Sequence, residues 1–374
     1  MKNILLTILL FIIILPGICY ADNFEPPKPI YAKAKVLEVI THNNAYSEAS
    51  MKSAIQEVTI KILNSKFKGQ TATVEHMTSC MMGGEMVLKK GDKVIVYIDE
   101  NPSPAESPDG SPVINVADYA RVSPIYWLAF FYALLLIIVG GMKGFKSLIS
   151  LIITIGLIFF ILFPLTLWGF NPLLVSILIS GLVSLIVFWI IGGKSTKSIS
   201  ASAGTLLGVS IAGILAFIVG NMMHLSGMSS EESRILLYSM NLQINYQGLL
   251  FGSILIGALG AIMDIGMSIA SSVDEIHKVH PESNFENLFK AGMNVGKDVM
   301  GTMSNTLILA YTGSSLPLLL LLIANNMSID KIMNMEIIAV EAVRALSGSI
   351  GLVMCIPITA FVSAWLNSQI IKGK

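Results

Sequence analysis

Between Gly257 and Pro317 the sequence places side chains able to hold a cation or a proton in otherwise apolar surroundings. Asp264 stands in GALGAIMDIGMSIASSVDE, residues 257–275. A carboxylate within an apolar membrane segment costs about 2.5 to 3.5 kcal/mol on insertion scales, so a partner or a task is expected for it. Read as a helix, this stretch aligns Asp264, Ser268, Ser271 and Glu275 on one face, because their spacings are four, three and four. The next apolar segment aligns Asp298, Thr302, Asn305 and Thr312 in the same way. Two antiparallel helices would let the polar faces meet, with Ser268 and Asn305 at similar depth and Asp264 nearer the middle.

Gly313-Ser314-Ser315-Leu316-Pro317 follows on the second helix. Pro317 removes a backbone donor and Gly313 loosens the preceding turn, so a kink or break is expected there. Broken helices facing a carboxylate are a common way of building an ion or substrate site within a membrane. The ion or substrate site candidates are therefore Asp264, Ser268, Asn305, Thr312, Ser314 and Ser315. The plainer alternative is a kinked packing helix whose freed carbonyls bond Ser and Thr side chains. Farther on, Glu341 and Arg344 are spaced to form a structural ion pair near the outer surface. In the N-terminal part, His76, Cys80 and Met81 stand with Met77, Met82 and Met86 in a short loop whose ligand types suit a soft metal such as Cu(I). Methionine as a gap-filler explains the same loop without a metal. No cofactor is implied.

These residues need a membrane scaffold to position them. The chain has 374 residues, 54% hydrophobic and 13% charged, with a mean hydropathy of +0.73. That is too apolar for an ordinary soluble protein and defines a multi-pass membrane protein whose first partner is the lipid bilayer. A net charge of zero without a clustered basic excess sets nucleic acid aside. Cys19, Cys80 and Cys355 are too dispersed for a disulfide framework. Nothing resembles HExxH, GxSxG or a phosphate-binding glycine loop, so no enzyme is expected.

Residues 1–21 read as a secretory signal or an uncleaved first helix, since the apolar run Ile4 to Leu15 is shorter than a span. Residues 22–123 form the one soluble region. Strands are expected near Tyr31–Ile40, Gln56–Leu63, Gln70–His76, Asp92–Tyr97 and Val113–Tyr119, giving a small all-β domain of OB or SH3-like barrel type. Residues 124–374 form a domain of about seven α-helical transmembrane segments, placed at Ile125–Met142, Leu148–Leu167, Pro172–Ile191, Ala203–Met222, Leu249–Ala270, Thr302–Ala324 and Leu346–Leu366. Lys143, Lys146, Lys194, Lys197, Lys278, Lys290, Lys297, Lys372 and Lys374 fall at alternate ends of consecutive spans. The positive-inside rule then puts the C-terminus in the cytoplasm and the β-domain outside the cytoplasmic membrane. Two connections read as amphipathic surface helices with capping boxes, Ser229 with Glu232 and Ser283 with Glu286. The second would end at Gly296-Lys297-Asp298 as an elbow.

The strings GALGAIMDIGMSIASSVDE, LFKAGMNVGKDVMGTMSNTLILAYTGSSLPLLLL and EAVRALSGSIGLVMCIPITA strongly resemble the YibE/F-like family of bacterial multi-pass membrane proteins. HLSGM (residues 224–228), GDKVIVYI in the outer domain and DYAR (residues 118–121) resemble the same family. Lys297 departs from the arginine expected in that turn, which keeps the charge and loses a bidentate contact. The resemblance implies a membrane location and this domain order, and it implies no reaction. Two functions remain open. One is a transporter or permease-like protein moving an ion or small molecule. The other is a non-transporting scaffold whose outer β-domain binds an envelope protein, with homo-oligomerisation open in both.

Overall fold

The structure is a computed structural model that describes residues 30–42, 55–80, 84–100, 102, 107 and 111–372. The segment read as a signal, residues 1–21, lies outside the described residues. The chain divides between residues 135 and 136 into two compact units.

In the N-terminal unit, strands β1 (Ile30–His42), β2 (Ile55–Ile62), β3 (Thr71–Met77), β6 (Lys93–Asp99) and β7 (Val113–Tyr119) form one antiparallel sheet in the order β3-β2-β1-β6-β7. β4 (Ser79–Cys80) and β5 (Gly84–Glu85) pair separately. Alternate residues face inward, as the period of two requires: Ala32, Ala34 and Val36 on β1, Val58, Ile60 and Ile62 on β2, and Val94, Val96 and Ile98 on β6 are buried together with Leu88. Gln56 shares that interior because its amide bonds both backbone groups of Leu88, accepting from N at 2.9 Å and donating to O at 3.2 Å. Register shifts at Val36/Glu38 and Ile95/Val96 bend the long strands. The sheet curls until its edge strands β3 and β7 approach, but among the described residues no ladder joins them. The expected small all-β domain of barrel type is present, in the form of a curled half-barrel.

The helical elements are α1 (Val122–Leu167), α2 (Pro172–Gly192), α3 (Thr196–Met222), α4 (Glu231–Arg234), α5 (Tyr246–Val279), α6 (Phe285–Ser314), α7 (Leu316–Ala324), α8 (Ile329–Met333) and α9 (Glu336–Lys372). Side-chain caps set several starts: Asn171 accepts from Leu173 N ahead of Pro172, Asn245 from Gly248 N, and Asn284 from Asn287 N. Among the described residues, five helices are long and apolar enough to cross a bilayer, and six when the bent pair α6 and α7 counts as one span. The expected count was about seven. The difference lies in α1, which has 46 residues and is broken at Gly141, where φ is 54° and ψ is −132°. A Cβ on Gly144 would fall 1.9 Å from the Leu136 carbonyl oxygen, so the chain folds sharply back at this point.

α9 is the hub of the bundle and packs on α3, α5 and α6, while α2 closes the other side of α3 and α5. Its seam with α3 is built from small residues. A Cβ on Gly351 would meet the Gly208 carbonyl at 2.6 Å, a backbone approach that only glycine allows. Both surface-helix expectations change. The outer segment is one turn of α-helix capped by Ser230, not Ser229, and continues as a π-helical turn over Ile235–Ser239. The inner segment is capped by Asn284, not Ser283, and runs without an elbow into α6. Gly292 and Gly296 explain why. Their missing side chains leave room for Val273 and Ala360, and for Ile356 and Ile269, so this segment packs into the bundle.

Candidate functional site

Asp264 lies close to the middle of α5. The residues facing the bundle are Ala258, Ile262, Ile265 and Ile269, all buried. Asp264 is two positions from Ile262, about 200° round the helix, and is exposed on the opposite face with Gly260 and Ser268. Among the described residues its carboxylate has no hydrogen-bond or ion-pair partner. Ser268 is not a free ligand, because its hydroxyl donates to the Asp264 backbone carbonyl at 2.7 Å.

The facing-helix expectation is only partly met. α5 and α6 do pack antiparallel, but Gly292 meets Val273, Gly296 meets Ile269, and Leu307 converges with Ala258 on Gly348. In that register Asp264 is level with Gly301 and Thr302, while Asn305 is level with Gly260. Ser268 and Asn305 are thus separated by about 12 Å along the axes instead of sharing a depth. Asn305 is also two positions from the buried Leu307, hence turned away from the packing face, and is exposed. The physical reason is the glycine pair at 292 and 296, which turns the small-residue face of α6 inward in place of its polar face.

The helix break is present. α6 ends at Ser314, α7 starts at Leu316, and the two meet at 58°. Ser315 is the joint residue, its backbone N donating to the Tyr311 and Thr312 carbonyls, and its side chain makes no cap. Ser314 donates its hydroxyl to the Tyr311 carbonyl at 2.7 Å, so it serves the bent backbone. Thr312 is exposed beside it.

Glu341 and Arg344 lie five and eight positions into α9, on one face, with Oε1 and Nη1 3.6 Å apart. The guanidinium also lies over the Tyr311 ring of α6, 5.7 Å from its centroid. Three polar atoms of this group, Tyr311 OH, Glu341 Oε2 and Arg344 Nε, are buried without a hydrogen-bond partner among the described residues. The sequence pairs Glu341 with Arg344 but contains no sign that Tyr311 joins them from another helix.

A second carboxylate escaped the sequence reading. Asp274, ten positions beyond Asp264, is 8% exposed and faces inward. Its Oδ2 is 2.8 Å from Lys278 Nζ, and its Oδ1 accepts from Thr196 Oγ1 at 3.3 Å. Thr196 opens α3 and also reaches Asn367 Oδ1 of α9 at 3.2 Å, while Asn367 donates to Ser363 O at 3.0 Å. A negative charge at the start of α3 meets the positive end of that helix dipole. The group ties α3, α5 and α9 together. Glu336 makes a similar tie at the first turn of α9, accepting from Ser226 N and Oγ at 2.7 Å each.

Of the soft-metal candidates, His76 is placed with Nε2 2.9 Å from the Met86 carbonyl, to which it donates. Met81 lies outside the described residues, and Cys80 is described only in its backbone, as part of β4. Among the described residues no three His, Cys, Asp or Glu side chains gather as a metal site would need.

Apolar helices of spanning length around a small-residue core define an integral membrane protein carrying an N-terminal half-barrel. Its family follows from two matches, the YibE/F-like protein model over residues 128–369 and the YibE/F family N-terminal domain model over residues 30–107. The chain belongs to the YibE/F-like family. No curated protein and no solved structure matches it.

Proposed function

We propose that this chain is a transporter or permease-like protein of the cytoplasmic membrane in which Asp264 loads and releases a cation or proton. The half-barrel is outside and the C-terminus is cytoplasmic in this reading, which rests on the lysine distribution. One observation carries it: Asp264 stands near the middle of a span-length helix, exposed and with no partner among the described residues. A lone carboxylate at that depth is too costly to be kept for packing. The 58° break between α6 and α7 adds a joint of the kind that alternating-access proteins use. Asn305 is dropped from the loading site, since it faces away; Thr302, at the level of Asp264, donates its hydroxyl to the Val299 carbonyl at 2.9 Å and so adds no free ligand. The proposal needs no cofactor and no chemical reaction.

Purified protein in proteoliposomes tests it. Ion- or proton-coupled flux that disappears in Asp264→Asn supports transport; absent flux, or flux unchanged in that variant, sinks it.

The scaffold reading is favoured by a different observation, that Asp264, Gly260 and Ser268 face away from the bundle. A second membrane protein or a second copy covering this face would supply the missing partner. Asp264→Asn would then reduce co-purification of the partner or dimer, with no flux in either form.

A further inference from the structure

We infer that water enters the membrane-spanning bundle at Tyr311, Glu341 and Arg344, making a hydrated polar pocket at the junction of α5, α6 and α9. The pocket would take small hydrophilic solutes that accept from Arg344 and donate to Glu341. It is distinct from Asp264, and neither outcome at Asp264 decides it.

The residues converge because of a glycine. A Cβ on Gly257 would stand 2.5 Å from the Tyr311 hydroxyl, so that hydroxyl occupies the space a side chain on α5 would fill. From α9, Arg344 lies over the same ring. With α5 centred in a bilayer, Gly257 lies about 8 Å from the midplane, and with α9 centred likewise Arg344 lies about 13 Å and Glu341 about 17 Å from it, so the group runs from inside the roughly 15 Å half-thickness of the hydrocarbon to its edge.

At that depth the hydrogen-bond balance is poor. Arg344 has five N–H donors and Glu341 two carboxylate oxygens, yet neither makes a hydrogen bond among the described residues, and their closest approach is 3.6 Å. The Tyr311 hydroxyl, Glu341 Oε2 and Arg344 Nε are all shielded by protein and unpaired. Donor, acceptor and hydroxyl therefore stand together without satisfying one another. Hydrocarbon cannot satisfy them either, and in a membrane such groups are found where they line water. Tyr311 also belongs to the last turn before the 58° bend, its carbonyl holding Ser314 and Ser315. Tyr311 thus stands beside the joint between α6 and α7.

Radiolytic hydroxyl-radical labelling of the full-length wild-type chain in lipid nanodiscs tests this, because radicals born from resident water modify the side chains beside it. Tyr311 is expected to be modified at least about tenfold faster than Phe251, a somewhat less reactive ring that is 1% exposed in the apolar core, a margin larger than the intrinsic difference between the two rings. Modification of Tyr311 at the Phe251 rate overturns the pocket. A second measurement uses Cys19→Ala/Cys80→Ala protein, in which buried Cys355 is the dry reference. Tyr311→Cys is expected to react with a charged thiol reagent at least about tenfold faster than Leu307→Cys one turn away, because only a hydrated thiol ionises. Equal inertness of the two in folded protein also overturns it.

Discussion

Two carboxylates on one helix have opposite surroundings. Asp274 is buried, held by Lys278 and Thr196, and linked through Thr196 to Asn367 on α9. Asp264, less than three turns away, is exposed and has no partner among the described residues. The inner face of α5 is thus committed to joining helices, and its outer face carries a polar group that the fold does not use. Structure accounts for Asp274; the proposed function is what gives Asp264 a task.

The sharpest way to break this comparison is to add volume to each face. A Cβ on Gly266, on the inner face, would meet Thr205 Oγ1 at 2.9 Å and the Ala201 carbonyl at 3.3 Å, whereas one on Gly260 meets nothing within 4 Å. Gly266→Leu is expected to cost about 3 kcal/mol by overpacking. Gly260→Leu should stay within about 0.5 kcal/mol, as surface changes do. Thermal unfolding in detergent measures both, and similar losses would mean that the outer face is covered by the bundle after all.

The carboxylates come next. Asp274→Ala strips partners from Thr196 and Lys278 and is expected to cost about 2 kcal/mol, less than a fully buried pair because Lys278 is half exposed. Asp264→Asn is expected to alter stability by no more than about 0.5 kcal/mol while abolishing flux or partner capture. A large stability loss in Asp264→Asn would erase the contrast and make Asp264 another tie.

The smallest effect belongs to the half-barrel. Arg121 pairs with Asp118 and, with the Tyr119 amide, holds that carboxyl below the usual carboxylate range. A lowered folded-state pKa stabilises the fold above the unfolded value and is lost as pH falls through the folded one. Arg121→Gln should therefore remove a slight stabilisation at neutral pH and flatten the acid limb below about pH 4. Both groups are more than half exposed, so solvent screening keeps the change small. Acid titration of the unfolding midpoint checks it, and an unchanged acid limb would show that the pair is fully screened.

Much of the architecture was readable in advance because it depends on local periodicity. Val58, Ile60 and Ile62 alternate with polar neighbours, and a strand follows from that alone. Runs such as Pro172–Gly192 can only be apolar spans. Gly313 to Pro317 foretold the break because proline acts on its own turn. The failures concern what lies across from what. A polar face reads the same whether it points at a neighbour or at lipid, so Asn305 looked like a partner for Asp264 and is turned away. Nothing local marks Asp274, since Thr196 stands 78 positions from it and 171 from Asn367.

By itself the sequence determined membrane residence, the sheet's strands, the helix break and the presence of one costly carboxylate, all properties of residues and their near neighbours. Tertiary structure alone decided the register of α5 against α6, the commitment of Asp274 to packing, and the meeting of Tyr311 with Arg344. Those depend on glycines such as Gly257 and Gly296, whose missing side chains define how close two helices come and which faces they turn to each other.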